Sequence, residues 1–391
     1  MMTKVILKYK KGLRAEMGHP WIFAGEIDSI DGSFENGDII EVYNYKNKFI
    51  GKGYINTNSQ ITVRIMTRNK DEEINEEFFR RRIISAWEYR KKVIETTSCR
   101  VIFGEADFLP ALIVDKYSDY LVVQTLSLGI ERWKDTIVKI LKEVFNPKGI
   151  YERNDVPVRE LEGLQQTKGF LSEPFETTVV SEENGVKFYV DLENGQKTGY
   201  FLDQKENRAA LKDIVTGADV LDCFCHTGSF SLHAGYYGAK SVLGIDISQH
   251  AVEFARRNAA LNGLENVCKF EAHNAFDVLH PWAKEGKKFD VVILDPPAFT
   301  KSKGTVESAL RGYKEINLRG MKLLKPGGFL VTASCSHHMT PDLFNQVIME
   351  AAIDAKKTIR QVEYRTQSKD HPILWNSGET LYLKFLILQI V

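Results

Sequence analysis

One stretch constrains this chain more than any other: Val220-Leu221-Asp222-Cys223-Phe224-Cys225-His226-Thr227-Gly228-Ser229-Phe230, followed downstream by an acid at Asp246. An apolar run into a glycine turn reads as a buried strand, a tight loop and a helix start, and Asp246 ends the next apolar run at 241–245. The pattern then repeats. Segments 219–222, 241–245, 267–270, 289–294 and 329–332 read as strands, each followed by a helical stretch, most clearly 249–262 and 306–324. Two late strands, near 359–364 and 380–388, complete the set. Five β-α units and a terminal strand pair predict an α/β fold: a seven-stranded, mostly parallel, doubly wound sheet of Rossmann-like type.

The upstream half follows a different pattern. A chain of 391 residues is too long for one ordinary domain. Segments 5–9, 39–43, 49–55 and 61–66 are β-rich with Gly, Asn and Asp between them, predicting a small β-barrel-like domain over 1–74. The acidic stretch 71–77 closes it. A helix follows, with Phe79, Ile83, Trp87 and Ile94 near 3.6-residue spacing. A strand pair at 111–115 and 120–125, an amphipathic helix at 130–145, a strand at 149–153 and a hairpin on Asn184-Gly185 predict a separate α+β domain over 75–192. The third domain is then 193–391.

Composition excludes several classes. Lys plus Arg and Asp plus Glu are both 52, so the net charge of zero gives no long-range pull on a nucleic acid, and any such partner must be met by local patches. No apolar run approaches the roughly 18 residues of a membrane span. Lys4, Lys8, Lys10 and Lys11 interrupt the first residues, which rules against a signal peptide. Five scattered cysteines make no disulfide framework and point to a reducing, cytoplasmic setting.

In an open α/β sheet, ligands bind at the carboxyl ends of the strands. The loop Phe224, Thr227, Gly228, Ser229 lies at that end of the first sheet strand. Gly228 admits close backbone approach, and Asp246 is placed to accept hydrogen bonds from ribose hydroxyls. A dinucleotide would need G-x-G-x-x-G to seat its pyrophosphate. This loop has a single glycine, which favours S-adenosylmethionine. Asn274 either meets the adenine edge or caps the helix that begins near Ala275. Cys223, Cys225 and His226 match no structural zinc spacing, so no metal is expected.

The reacting end is read from two segments. Asp295-Pro296-Pro297-Ala298-Phe299 ends the fourth strand, and its prolines make a stiff lip. Such a lip suits methylation of an exocyclic amine, although Ala298 separates the prolines from Phe299. Cys335, just after the fifth strand, points elsewhere. A pyrimidine C5 is a poor nucleophile until a thiolate adds to C6, and that chemistry needs a cysteine beside the methyl donor. Asp295 is the candidate base or ring-orienting group, and His337 and His338 are near enough in sequence to influence the thiol. The alternative is a small buried cysteine ending a strand.

Gly195-Gln196-Lys197-Thr198-Gly199-Tyr200-Phe201-Leu202-Asp203-Gln204, the loop from Asp222, the Asp295 lip and Ser334-Cys335-Ser336-His337-His338-Met339 together resemble the bacterial 23S ribosomal RNA cytosine-5 methyltransferases. The resemblance spans nearly the whole chain. It implies an N-terminal PUA domain, opened by Gly18-His19-Pro20-Trp21-Ile22-Phe23, a central α+β domain carrying Tyr151-Glu152-Arg153-Asn154-Asp155, and a C-terminal class I methyltransferase domain. It further implies Cys335 as nucleophile, Asp246 as ribose ligand, and Gln196, Lys197, Thr198 and Phe201 in a segment covering the cofactor. Arg153 joins the substrate-binding set. Asn274 departs from the Asp often found there, and the base that removes the C5 proton stays unassigned.

If RNA is the substrate, basic residues must gather locally. Candidates are Lys8, Lys10, Lys11 and Arg14; Arg80, Arg81, Arg82 and Arg90; and Lys301, Lys303 and Arg311 beside the lip. Pro296, Pro297, Phe299 and Tyr313 are the expected walls for a flipped base. Two other readings stay open: an amine methyltransferase with a structural Cys335, and an RNA-binding ribosome assembly factor whose methyltransferase domain is inert. Ribosomal RNA is the expected partner, with no membrane and no metal. Pairing of two copies through the barrel is compatible with the sequence but required by no residue.

Overall fold

A computed structural model of the chain describes residues 2–300 and 303–391. They form two compact units. The first comprises Met1–Ser181, Val190–Asp203 and Lys369–Thr380; the second comprises Glu182–Tyr189, Gln204–Ser368 and Leu381–Val391.

The first unit holds two sheets. Six strands, Lys4–Leu7, Trp21–Phe23, Ile27–Asp31, Ile39–Tyr43, Phe49–Ile55 and Ile61–Thr67, form one around Val5, Leu7, Ile22, Ile40, Val42 and Val63. The other orders Thr167–Phe170, Gly149–Asn154, Tyr120–Thr125, Leu112–Tyr117 and Ser98–Phe103. Helix Glu76–Val93 packs on it, capped by the Asn75 side chain accepting from the Phe78 amide. Its first turn is acidic (Glu76, Glu77) and its last basic (Arg90, Lys91, Lys92), in keeping with the helix dipole. The expected helix at 130–145 is broken into Leu128–Glu131 and Lys134–Phe145. The turn between them brings the Trp133 ring 4.8 Å from that of Phe79.

Packing redraws the expected boundaries at 74/75 and 192/193. Tyr54 and Met66, from the first predicted domain, belong to the core of the second, and Arg64 forms a buried 2.9 Å ion pair with Glu162. Segment 193–203 groups with this unit rather than with the large sheet, because the buried Asp115 carboxylate accepts from the Thr198 hydroxyl (2.6 Å) as well as from Arg100. Segment 369–380 joins it too, Asp370 accepting from the Arg100 amide and from Arg90.

The second unit is the doubly wound sheet. Its strands are β1 (Asp219–Cys223), β2 (Ser241–Asp246), β3 (Cys268–Ala272), β4 (Phe289–Leu294), β5 (Leu324–Ser334), β6 (Ile359–Arg365) and β7 (Lys384–Ile390). Their order is β3-β2-β1-β4-β5-β7-β6, with β1 to β5 parallel and β7 antiparallel between β5 and β6. Helices α1 (Ser229–Tyr236), α2 (Gln249–Leu261), α3 (Ala275–Lys284), α4 (Val306–Lys322) and α5 (Pro341–Ala355) follow β1 to β5 in turn. Both faces are buried. Leu221, Val292 and Leu294 enter one core with Tyr313 and Phe344, while Val220, Val291 and Ile293 enter the other with Phe230 and Phe385. β5 begins five residues earlier than expected, at Leu324, since the strand runs through Pro326-Gly327-Gly328, which reads as a break in sequence alone.

Candidate active site

The crevice lies where β1 is flanked by β2 and β4, at the carboxyl ends of the strands. The loop after β1 is strained: Phe224 (φ 65°) and His226 (φ 51°) both adopt the left-handed conformation that non-glycine residues avoid. Gly228 (φ 87°) opens α1, and a Cβ there would come within 3.1 Å of Ala255 and Phe270. Asp246 holds this loop. Its Oδ2 accepts from the His226 amide and its Oδ1 from the Ser248 amide, each at 2.9 Å.

Asp222 is fully buried, and one carboxylate oxygen accepts from the Ser231 amide (3.0 Å) and hydroxyl (2.6 Å). Its other oxygen, and the Thr227 hydroxyl, are buried without a hydrogen-bond partner among the described residues. Burial pushes the Asp222 carboxyl up to about 7, helped by the neighbouring charges of Asp295 and Asp246. Three carboxylates therefore converge on this end of the sheet.

The lip leaves β4 with Asp295, whose Oδ1 accepts from Gln204 Nε2 at 3.0 Å. Phe299 packs 4.6 Å from the Tyr313 ring and 5.8 Å from that of Phe276. Gly312 makes room for it, since a Cβ there would lie 3.2 Å from the Phe299 ring. Cys335 follows β5 directly, partly exposed and outside any disulfide. The Ser336 hydroxyl donates to the Thr300 carbonyl at 2.9 Å, tying the cysteine loop to the lip. The Ser334 hydroxyl donates to the Tyr313 oxygen at 2.9 Å. Burial, chiefly, raises the Tyr313 phenol, and Cys335 and Asp295 are both near enough to add to the shift.

The second unit thus brings together Asp222, Phe224, Thr227, Gly228, Ser229, Asp246, Asp295, Pro296, Pro297, Phe299 and Cys335 at one end of its sheet. Asn274 is the N-cap of α3, its side chain accepting from the Phe276 amide. Tyr313 is fully buried between Phe299 and Phe344 and backs the lip. Arg153 is committed elsewhere. Buried in the first unit, it donates to the Leu192 and Gly195 carbonyls and pairs with Asp155, so it braces the Gly195 turn. Gln196, Lys197, Thr198 and Phe201 also belong to the first unit, where Lys197 pairs with Asp203 at 2.9 Å and lies over the Phe201 ring.

The helix arginines are likewise engaged: Arg80 with Glu76, Glu77 and Glu143, Arg81 and Arg82 with Glu72, and buried Arg90 with Asp107. Arg311 is exposed on α4. Lys301 and the Lys303 side chain lie outside the described residues. No group of three or more metal-ligating side chains occurs among the described residues, and no described helix is long and apolar enough to cross a membrane. Sequence reasoning missed the buried Lys384, whose only signal was a lysine between Leu383 and Phe385 in a largely apolar strand.

Residues 165–379 match the S-adenosylmethionine-dependent methyltransferase family, and residues 5–68 match the PUA-like domain. The chain is 42% identical over 377 residues to ribosomal RNA large subunit methyltransferase I of Aeromonas hydrophila, covering 95% of both chains. It is 41% identical over 396 residues to the protein of the same name from Shewanella denitrificans, covering both completely. Among solved structures it resembles a Streptococcus mutans protein assigned as a S-adenosylmethionine-dependent methyltransferase (TM-score 0.82, 20% identity, both chains fully covered). It also resembles SMU.776, assigned as a methyltransferase and solved with S-adenosylhomocysteine (TM-score 0.85, 20% identity, both chains fully covered).

The crevice fits that methyl donor. It offers two buried oxygens in want of partners and an acidic surround for a ligand carrying a sulfonium and an ammonium. Loop, crevice and whole-length likeness lead to one assignment: this chain belongs to the S-adenosylmethionine-dependent methyltransferase family, with a PUA-like domain at its N-terminal end and S-adenosylmethionine as its cofactor.

Proposed function

We propose that this protein methylates C5 of a cytosine in large-subunit ribosomal RNA, with Cys335 as the covalent nucleophile. The observation that carries the reading is the position of Cys335 at the carboxyl end of β5, tied through Ser336 to the Asp295 lip. The RNA class rests on the relatives, which are named ribosomal RNA large subunit methyltransferase I.

In this reading the chain's residues divide the work. Asp246 takes the ribose hydroxyls of the donor, and Asp222, Phe224, Thr227, Gly228 and Ser229 line its adenosyl and amino-acid portions, with Asn274 completing the set. The donor supplies an electrophilic methyl. The Cys335 thiolate would add to C6 of the base, and the C5–C6 π pair would move to C5, which would take the methyl as the sulfonium S–CH3 bond breaks and its electron pair stays on the thioether left behind. Loss of the C5 proton then restores the double bond as the C6–S bond breaks, returning the thiolate. Asp295 orients the ring or receives that proton, while Pro296, Pro297 and Phe299 form the wall against which the base lies. Lys301, Lys303 and Arg311 are the nearest cations in sequence for the RNA backbone.

The test is methyl transfer to ribosomal RNA from cells lacking the protein, with nucleoside analysis of the product. Label in 5-methylcytidine, abolished by Cys335→Ala, is the expected result. Label in an N-methylated nucleoside, or full activity of the variant, would make Cys335 structural and favour the amine chemistry suggested by the lip. RNA binding with no transfer would mark an assembly factor.

A further inference from the structure

Lys384 is the first residue of β7 and is paired in register with Ser334, the residue before Cys335. Only 2% of it is exposed. Its ammonium donates to the Ser336 carbonyl at 2.6 Å and to the Tyr382 carbonyl at 2.8 Å. Among the described residues no carboxylate pairs with it. An ammonium taken out of water and met only by neutral carbonyls is expensive, and such groups are retained where an anion completes them.

The anion is at hand. Cys335 lies between Ser334 and Ser336, the two residues that Lys384 pairs with and bonds to. We propose that the buried Lys384 ammonium holds Cys335 as a thiolate, and so acts as a positioning residue for the nucleophile. The inference rests on the cytosine-5 reading for its role in the reaction, but not for the ion pair itself.

Among the described residues, the other groups named near this loop do not replace it. Tyr313 on α4 is a buried phenol, and Asp295 after β4 is an acid that would oppose a thiolate. His337 and His338 in the following loop lie ring against ring, 5.6 Å apart. On β6, Arg365 is bound to Glu363 and Asn207. Desolvation pushes the Lys384 ammonium down to about 8, and Cys335 is the charge that opposes this shift. A lysine so placed is still mostly protonated at neutral pH, with the thiol proton released to solvent.

The experiment is the pH dependence of iodoacetamide alkylation at Cys335 in the full-length protein, read by peptide mass spectrometry. The four buried cysteines, Cys99, Cys223, Cys225 and Cys268, serve as internal references. In the wild type the apparent thiol pKa is expected below the free value of about 8.5, and in Lys384→Gln and Lys384→Met, confirmed folded by circular dichroism, it rises by about one unit or more. The acidic limb of the methylation profile moves by the same amount. An unchanged thiol pKa in a folded variant overturns the proposal. So does a wild-type value at or above that of a free thiol, a result that needs no variant to fold. A low thiol pKa with an active Cys335→Ala would sink the cytosine-5 reading alone; an inactive Cys335→Ala with an unmoved pKa would sink the lysine alone.

Discussion

Asp246 accepts the His226 backbone hydrogen bond at 2.9 Å, so the proposed ribose ligand also fixes the loop proposed to hold the donor. Two functions on one carboxylate separate by substitution. Asp246→Asn keeps an oxygen for the loop and loses the charge; Asp246→Ala loses both. Each charge-assisted bond is worth about 1.5–3 kcal/mol. Calorimetric titration with S-adenosylmethionine should therefore show a loss of about tenfold or more for Asp246→Asn and a larger one for Asp246→Ala. Equal affinity in all three proteins would remove Asp246 from the site.

Asp222 makes a prediction about pH. Its carboxyl titrates near 7 in the folded protein against 3.8 ordinarily. Between those values the folded state holds a proton that the unfolded state releases, so this group's contribution to stability rises as pH falls through 7. Above 7 its buried charge opposes folding. Asp222→Asn has no such term. The stability of Asp222→Asn minus that of wild type, from urea melts, should be larger at pH 8 than at pH 5, by at most about 1.4 kcal/mol per unit of pH in that window. A difference independent of pH would show that Asp222 titrates normally.

A buried ion pair in the second unit sets a third expectation. Arg208 donates from Nε and Nη2, along one guanidinium edge, to the two Glu183 carboxylate oxygens with no exposure of either side chain, and burial lowers the adjacent His233 to about 4. Glu183→Ala leaves a buried cation and should destabilise by about 3–5 kcal/mol, whereas Glu183→Leu with Arg208→Met should recover much of it. Thermal denaturation of single and double variants measures this; additive losses would refute the coupling.

The Thr198 hydroxyl provides a milder test. Thr198→Val preserves shape and deletes the 2.6 Å bond to Asp115, leaving a buried acceptor short of one donor. A loss of about 1–3 kcal/mol is expected, with faster proteolysis around Gln196 and Lys197. Unchanged stability would mean that the Arg100 bonds alone satisfy Asp115.

The large sheet was legible because its central strands are apolar on both faces and its helices amphipathic, so period and glycine placement coincided. The placement of Asp246, Gly228, the lip and Cys335 at strand ends was legible for the same reason, and strand ends are where this architecture offers sites. The burial of Arg153 and Tyr313 was not legible, because residue type does not reveal it. An arginine bonded to two carbonyls and an arginine on a surface look alike in a sequence. The domain boundary at 192/193 misled because Asp115 and Thr198 are far apart in the chain, and only folding puts them in contact. Lys384 was invisible for a related reason: a lysine in a strand signals an exposed edge, and this strand lies inside the sheet.

The order β5-β7-β6 also sets a timetable. The ribosome completes Cys335 roughly fifty residues before it completes β7. At ordinary elongation rates that is an interval of several seconds. During it, β5 has an open hydrogen-bonding edge and the thiol loop lacks its lysine. The last strand therefore closes a gap between two neighbours made before it. A nascent chain carrying every proposed cofactor residue of the sheet still presents an unpaired strand to its surroundings, and β5 gains its second neighbour only when this insertion is made.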